Sequence, residues 1–206
     1  MGITERRVRQ KNEVRANILQ SAWKIVTEEG WQTLSIRKIA DAIEYSIPVI
    51  YDHFESKEHI LAEFTKTGYQ LLSDELQKAR KKNKKPATQM EAIAFTYWNF
   101  AKKNKAYYQL MFGLGMPSCD CIKETPELMN FTQVIKSTIM DVAEKAENKK
   151  VNPVLKLHAF WSAIHGLICV SDITPPTSRS GMSQEKLDKI VLTDFIKGFI
   201  RNIENK

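Results

Sequence analysis

The stretch Thr33–Leu61 constrains the fold more than any other part of the chain. It reads T-L-S-I-R-K-I-A-D-A-I-E-Y-S-I-P-V-I-Y-D-H-F-E-S-K-E-H-I-L. Apolar residues in its first half recur at spacings of three and four, which predicts a short amphipathic helix: Ile36, Ile39, Ala40 and Ile43. A second short segment follows, in which Ile50 and Phe54 are four residues apart and can share a buried face. Two short helices joined by a few residues are typical of a helix-turn-helix, whose second helix fits a DNA major groove.

Residues suited to the first turn of a helix support these boundaries. Ser35, Ser46 and Ser56 each precede a predicted helix, where a hydroxyl can accept a hydrogen bond from a free backbone N–H. Pro48 falls in the first turn of the second helix, where its missing N–H costs little. We therefore predict three helix starts within about 25 residues.

The ordered set I-A-x-A-x-x-x-S-x-x-x-I-Y-x-H-F-x-S-K-E within this stretch resembles the tetracycline-repressor (TetR) family of bacterial transcription regulators. The matching residues are Thr33, Ile39, Ala40, Ala42, Ser46, Tyr51, His53, Phe54, Ser56, Lys57, Glu58 and Leu61. Glu44 and Pro48 depart from the family, which often has Gly at both positions. A charge at Glu44 would be tolerated if the turn faces solvent, and Pro48 removes an N–H that could approach a phosphate.

The resemblance implies an all-α fold of about nine helices. Residues 1–56 would form a three-helix, helix-turn-helix DNA-binding domain, and residues 57–206 a helical domain for effector binding and dimerisation. Sequence punctuation predicts helices at about 5–29, from 57, at 86–103, 104–113, 127–148, 153–172 and 183–205. Gly30 would end the first helix and Pro86 would open the fifth.

Direct DNA contact is implied for side chains on and around the second short helix. Residues expected to position the DNA backbone are Ser35, Tyr51, His53 and Lys57, with Arg37 on the exposed face of the preceding helix. Residues expected to face bases are Tyr45, Ser46, Ile47 and Val49. Because Ile47 and Val49 donate no hydrogen bonds, they can read thymine methyl groups, which predicts T-bearing operator positions.

Basic residues are concentrated at two other places. Arg6, Arg7, Arg9, Lys11 and Arg15 outnumber Glu5 and Glu13, so the N-terminus is either an arm that adds phosphate contacts or a disordered tail. Residues 78–85 form the densest basic run, which we interpret as a solvated helix end and loop. Residues 1–57 as a whole hold nine Lys or Arg and eight Asp or Glu, although the chain carries a net charge of +7.

Two further strings extend the resemblance to a TetR subfamily named for a Trp-His-Gly signature. They are Tyr97-Trp98 to Gly113 and Phe160-Trp161-Ser162-Ala163-Ile164-His165-Gly166-Leu167. Residues implied for an effector pocket are Phe95, Trp98, Tyr108, Met111, Phe112, Phe131, Trp161 and His165. Such a pocket would favour a small apolar or aromatic effector with one or two polar groups over a strongly anionic one. An aromatic stripe at helical spacing is also compatible with an ordinary core.

The last helix is apolar on two sides. Asp188, Lys189, Lys197 and Arg201 leave it only a narrow polar arc, so it needs two partners. One would be its own core and the other a second copy of the chain, in the family's four-helix dimer contact; a thicker monomer core is the alternative. The residues predicted for this contact are Leu157, Ile164, Ile168, Leu192, Phe195, Ile196, Phe199 and Ile200.

The sequence lacks the motifs that are typical of several function classes. There is no G-x-S-x-G, H-E-x-x-H, Walker A or G-x-G-x-x-G string, so we expect neither an enzyme nor a cofactor or metal site. No uninterrupted apolar run reaches the ~18 residues of a membrane span, and the N-terminus lacks a signal-peptide core, so we expect a cytoplasmic bacterial protein. Three cysteines argue against a disulfide framework; Cys119 and Cys121 are either incidental thiols or a weak sensor signature.

The sequence therefore predicts a ligand-responsive, sequence-specific DNA-binding regulator. Its partners would be double-stranded operator DNA, a small-molecule effector and a second copy of the chain. Repression relieved by the effector is the leading hypothesis. The alternative is a DNA-binding protein or activator without a small-molecule effector.

Overall fold

The computed structural model describes residues 3–112, 125–173 and 181–205. These residues form nine α-helices and one short 3-10 helix and contain no strand, which confirms the all-α prediction. The helices are α1 (Ile3–Glu29), α2 (Ile36–Ala42), α3 (Ile47–Tyr51), α4 (Lys57–Lys81), α5 (Pro86–Lys103), α6 (Lys105–Met111), α7 (Pro126–Lys145), α8 (Pro153–Ile173) and α9 (Gln184–Glu204), with the 3-10 helix at Trp31–Thr33. Cys119 and Cys121 lie outside the described residues.

The predicted helix boundaries are confirmed to within a few residues, for local reasons. The Ser35 hydroxyl accepts from the Lys38 backbone N–H at 3.2 Å, and the Ser56 hydroxyl accepts from the His59 N–H at 3.4 Å. Ser46 occupies the N-cap position of α3, but its side chain makes no capping hydrogen bond. Gly30 ends α1 with a φ of 88°, a conformation that glycine adopts without strain.

The chain divides into two compact units. The first contains α1, the 3-10 helix, α2, α3, α4 as far as Lys66, and α6; the second contains the remainder of α4 with α5, α7, α8 and α9. The predicted division into a DNA-binding domain of residues 1–56 and a second domain of residues 57–206 stays a prediction.

The first unit has one hydrophobic core beneath its short helices. Its fully buried members include Ile18 and Ala22 of α1, Ile39 of α2 and Ile50 of α3. Burial of Ile50 and Phe54 confirms the predicted inward face of the second short helix.

The second unit is a helical bundle in which α5 packs against α7 and α9, and α8 packs against α7 and α9. Its largest fully buried side chains include Tyr97, Trp98, Phe100, Phe131 and Phe160. Arg80, in the basic run predicted to be a solvated helix end, is half-buried and donates to Ser137 Oγ at 2.8 Å. The end of α4 is therefore tied to α7.

Helix α8 is the most apolar helix of the chain. Over Pro153–Ser171 its mean hydropathy is 1.4, so by length and composition alone this helix could cross a membrane. The sequence did not predict such a span, because polar residues interrupt the apolar run. Only 22% of that window is buried. Much of the apolar surface of α8 therefore faces away from the core of its own unit.

Candidate functional site

The exposed face of α3 is unusually apolar. Tyr45, Ile47 and Tyr51 are 45%, 42% and 52% exposed, and Ser46 beside them is also exposed. Large apolar side chains standing together on a short exposed helix are typical of a binding surface rather than of a solvated one. The structure thus exposes four of the residues predicted to contact DNA, two on α3 and two immediately before it.

Other predicted contact residues are partly committed to the fold. Val49 is half-buried and packs against the hydrophobic core of the first unit. The Ser35 hydroxyl already caps α2, so any phosphate contact must share it with the helix. Arg37 is exposed on α2, where its Nε forms an ion pair with Asp41 at 4.0 Å. Lys57 is half-buried at the first turn of α4.

His53 lies just after α3 with its ring half-buried. Burial lowers the pKa of His53 below its usual 6.5, and the nearby charges of Lys11 and Arg15 lower it further against the opposing effect of Asp52. Nδ1 is enclosed and has no hydrogen-bond partner among the described residues. His53 is therefore neutral at pH 7, and any contact it makes with a phosphate must be donated by Nε2.

The turn between α2 and α3 contains a strained residue. Glu44 has a φ of 57°, the left-handed region, and its side chain is exposed. The Tyr45 N–H donates to Ala40 O at 3.0 Å and the Glu44 N–H to Asp41 O at 3.3 Å, a Schellman ending whose strained position usually holds glycine. This explains the family's glycine in geometric terms and confirms that the Glu44 carboxylate can reach water.

Helix α6 is joined to the first unit by aromatic contacts that the sequence did not reveal. Trp31 Nε1–H donates to the Ala106 carbonyl at 2.9 Å, and the rings of Trp23 and Tyr107 stack at 4.0 Å between centroids. Leu110 completes the hydrophobic core of the same unit. Two tryptophans within nine residues were visible in the sequence, but their partners are more than 70 residues away.

The second unit contains an aromatic cluster with a hydrogen-bonded centre, in which Tyr97 and Phe131 are buried and Trp161 and His165 are half-buried. Phe131 and Trp161 meet edge to face at 5.6 Å, and Trp161 lies 5.7 Å from His165. Tyr97 links them, because its Oη accepts from Trp161 Nε1–H at 3.0 Å and lies 2.9 Å from His165 Nε2. Tyr97 was not among the predicted effector residues.

Burial lowers the pKa of His165 to about 4, so the imidazole is neutral at pH 7. Since the Tyr97 oxygen already accepts from Trp161, its hydroxyl proton can be donated to His165 Nε2. This arrangement fixes two polar groups inside an otherwise apolar region. Both groups are neutral and hydrogen-bonded to each other.

The remaining predicted effector residues lie elsewhere. Trp98 is fully buried beside Lys102, whose Nζ is 4.3 Å from the ring centre, and its Nε1 has no hydrogen-bond partner among the described residues. Phe95 is half-buried on α5. Tyr108, Met111 and Phe112 belong to α6 and its end, in the first unit, where Tyr108 and Phe112 meet at 4.8 Å.

Asp188 overturns one expectation about α9. The sequence placed it in an exposed polar arc, but the structure buries it completely. Its carboxylate accepts from Lys102 Nζ at 2.9 Å, from Ser171 Oγ at 2.7 Å and from Gln184 Nε2 at 2.9 Å. Burial opposes ionisation, but these donors outweigh it and keep the pKa of Asp188 below its usual value.

The helices α8 and α9 also share an exposed apolar face. The exposed large apolar residues on these two helices are Val154, Leu155, Val170, Leu187, Ile190 and Val191. A groove of about 360 Å³ runs between the helices, lined by Ala163, Gly166 and Leu187 among others. Of the eight residues predicted for a dimer contact, seven are buried within one chain and Phe195 is half-buried. The assignment of those eight residues to a dimer contact stays a prediction.

Comparison with known families identifies the chain. The family "Bacterial regulatory proteins, tetR family" matches residues 18–64, which include α2 and α3, and "Tetracyclin repressor-like, C-terminal domain" matches residues 90–171. Together the two matches cover more than half of the chain. The chain belongs to the TetR family. As a TetR family member it is a DNA-binding transcriptional regulator, and the family consists of regulators rather than enzymes.

Solved structures share the fold of this TetR regulator. A protein of unknown function from a Rhodococcus species is similar at a TM-score of 0.72 and 18% identity, over 93% of this chain and 95% of that one. The TetR family transcriptional regulator PfmR from Thermus thermophilus is similar at 0.61 and 22%, over 87% and 96%. The regulator FadR from Bacillus subtilis, solved with stearoyl-CoA, is similar at 0.68 and 15%, over 89% and 98%. A search of curated proteins found no match.

Proposed function

We propose that this TetR regulator binds operator DNA as a homodimer, with the exposed face of α3 in the major groove, and is released by a small apolar or aromatic effector. The observation that carries the DNA-contact assignment is the exposure of Ile47 and Tyr51 on α3, and of Tyr45 just before it, while Ile50 anchors the other face of α3 in the core. Tyr45 and Ile47 would read base edges and thymine methyl groups, while Arg37, Tyr51 and Lys57 hold the DNA backbone.

Two substitutions separate backbone contact from base reading. We expect Lys57→Ala to weaken binding to all sequences and to reduce the slope of log K against log salt by ~1 per protomer. Ile47→Ala should instead relax sequence preference, at a cost of ~1–3 kcal/mol on the operator alone. The operator would be obtained by selection from random DNA, and binding followed by fluorescence anisotropy. An unchanged salt slope for Lys57→Ala would remove that residue from the interface.

The exposed apolar face of α8 and α9 supports dimer formation. Val170, Leu187 and Val191 line one groove between the two helices and are exposed, and exposed apolar side chains grouped in this way resemble the apolar centre of a permanent interface. Two copies also explain useful affinity from a short α3, because two half-sites ~34–36 Å apart are then engaged together.

Val170→Glu tests the dimer, because Val170 is 59% exposed on α8 and can be changed without disturbing the core of its unit. We expect light scattering to show monomers and cooperative operator binding to be lost. Met140→Glu, at an exposed position of α7, is the matched control and should remain dimeric. A dimeric, normally folded Val170→Glu variant would place the interface elsewhere.

The cluster of Tyr97, Phe131, Trp161 and His165 supports an effector that is apolar or aromatic. Its rings offer apolar contact, and the Tyr97–His165 pair offers one oriented polar point. The similar FadR from Bacillus subtilis is described in complex with stearoyl-CoA, whose acyl chain is apolar.

The effector test uses four probes: stearate, stearoyl-CoA, coenzyme A and 1-naphthol. An apolar effector should quench Trp161 fluorescence and release operator DNA, whereas coenzyme A alone should do neither. A ligand with ~100-fold preference for the released state shifts DNA affinity by only ~2.7 kcal/mol per site. Release should therefore be measured at a protein concentration near the dissociation constant for DNA. If Trp161→Phe leaves the response to an active probe intact, the cluster is not the effector site.

A repressor and an activator differ in their response to deletion of the gene. Loss of a repressor raises transcription beside its bound sites, and loss of an activator lowers it. We expect transcription to rise, and we expect an active probe to reproduce that rise in the wild-type cell.

A further inference from the structure

The first turns of α1 extend beyond the protein core. All residues from Thr4 to Glu13 are exposed, and Val14 is the first buried side chain of the helix. The segment is nevertheless helical from Ile3. The basic N-terminus is therefore a helical projection about 15 Å long, at 1.5 Å per residue, rather than a disordered tail.

The charges of this projection are divided between two faces. Positions four and seven apart share one face of a helix, so Arg7 and Lys11 continue the line of Val14 and Ile18. Their face contains no acidic residue in this segment. Arg6 and Arg9 fall on the opposite face together with Glu5 and Glu13, which neutralise them. One face is consequently basic and the other has no net charge.

The basic face is fixed in direction beside the DNA-contacting helix. Arg15, one turn after Lys11, forms an ion pair with Glu63 at 2.8 Å, and its guanidinium lies over the Phe54 ring at 4.8 Å. Lys11 is close enough to His53 to help lower the pKa of that imidazole. Lys11 and Arg7 thus lie one and two turns before Arg15, which is anchored next to the end of α3. Neither Arg7 nor Lys11 forms an ion pair within the described residues.

We propose that the Arg7–Lys11 face of α1 contacts DNA phosphates flanking the half-site read by α3, and that the Arg6–Arg9 face does not. This inference rests on the proposed DNA binding and extends its footprint beyond the helix-turn-helix. Arg7 and Lys11 are ~6 Å apart along the helix axis, so each can meet a different phosphate. Such contacts add affinity without adding sequence preference.

The test compares two double variants with equal loss of charge, Arg7→Gln with Lys11→Gln and Arg6→Gln with Arg9→Gln. All four positions are exposed and glutamine favours helix, so both full-length variants should fold, as circular dichroism will verify. Binding is measured by anisotropy at NaCl concentrations from about 50 to about 300 mM, on the selected operator and on unrelated DNA of equal length.

We expect the Arg7–Lys11 variant to lose ~2 units of salt slope per protomer, which corresponds to roughly 10- to 30-fold weaker binding for each protomer bound at about 0.15 M salt. The loss should be similar on operator and unrelated DNA. The Arg6–Arg9 variant should change affinity by no more than about twofold, because screening removes most of the effect of charges that do not touch DNA.

Equal losses in the two variants would mean that only net charge matters and would overturn the proposed contact. No loss in either would overturn it as well. If Lys57→Ala weakens binding while the Arg7–Lys11 variant does not, this inference fails and the proposed function stands. If the wild-type protein binds no DNA, both fail together.

Discussion

The two units use polar and apolar groups in opposite ways. In the first unit, the helix assigned to DNA contact and the residues just before it expose apolar side chains, Tyr45, Ile47 and Tyr51, while Ile50 anchors the helix in the core. In the second unit, two buried polar side chains have partners nearer the surface: Tyr97 pairs with the half-buried His165, and Asp188 with Lys102. Under the proposed function, the surface that meets DNA is preformed and exposed, whereas the region proposed to recognise a small apolar molecule orients its few polar groups toward the interior.

The substitution with the largest expected effect on this contrast is Asp188→Ala. Removing the carboxylate leaves Lys102, Ser171 and Gln184 without their shared acceptor, and a broken buried pair costs about 3–5 kcal/mol. Because the Lys102 side chain is 37% exposed and can reach water, we expect about 3 kcal/mol less unfolding free energy in urea.

Asp194→Ala is the matched control, since Asp194 is an exposed acid on the same helix and should change stability by less than about 0.5 kcal/mol. Similar small losses for both variants would mean that the Asp188 cluster is not stabilised by its buried hydrogen bonds. The contrast between the two units would then be reduced to the Tyr97–His165 pair.

The two regions also differ in how far sequence alone could predict them. The caps at Ser35 and Ser56, the inward face of Ile50 and Phe54, and the turn at Glu44 depend on residues within a few positions of one another. These local features could therefore be predicted from residue types and their spacing. Trp31 bonds to Ala106, Tyr97 to Trp161 and Asp188 to Lys102, each pair being 64 to 86 residues apart, and no local pattern specifies these pairs. For Asp188 the periodicity was misleading, because it assigned a fully buried carboxylate to the solvent side.

The second test concerns His165 and acidic pH. Its pKa is about 4 in the folded chain and about 6.5 when unfolded, so the unfolded chain binds the additional proton first. Stability contributed by the neutral imidazole is therefore complete above about pH 6.5 and declines as the pH falls toward about 4. We expect a loss of about 2–3 kcal/mol between about pH 7.5 and 4.5, measured by urea unfolding.

His165→Asn should remove that part of the pH dependence, because an amide does not titrate in this range. His158→Asn changes an exposed histidine of the same helix and should leave the wild-type profile in place. If the wild-type and His165→Asn profiles are parallel, the imidazole is not held neutral by its surroundings. The second unit would then lack the buried polar centre that distinguishes it from the first.

The smallest expected effect lies in the turn of the first unit. Glu44 has a φ of 57°, which costs a residue with a side chain about 1–2 kcal/mol relative to glycine, while glycine loses about 0.5–1 kcal/mol more in chain entropy on folding. Glu44→Gly should therefore stabilise the protein by about 0.5–1 kcal/mol. Glu44→Ala removes the same charge but keeps the strained backbone, so it should not stabilise the fold. Equal unfolding free energies for the two variants, measured without DNA, would show that charge and not strain sets the energy of this turn. A gain confined to glycine would show that the α2–α3 connection tolerates a strained residue beside a surface that must stay preformed.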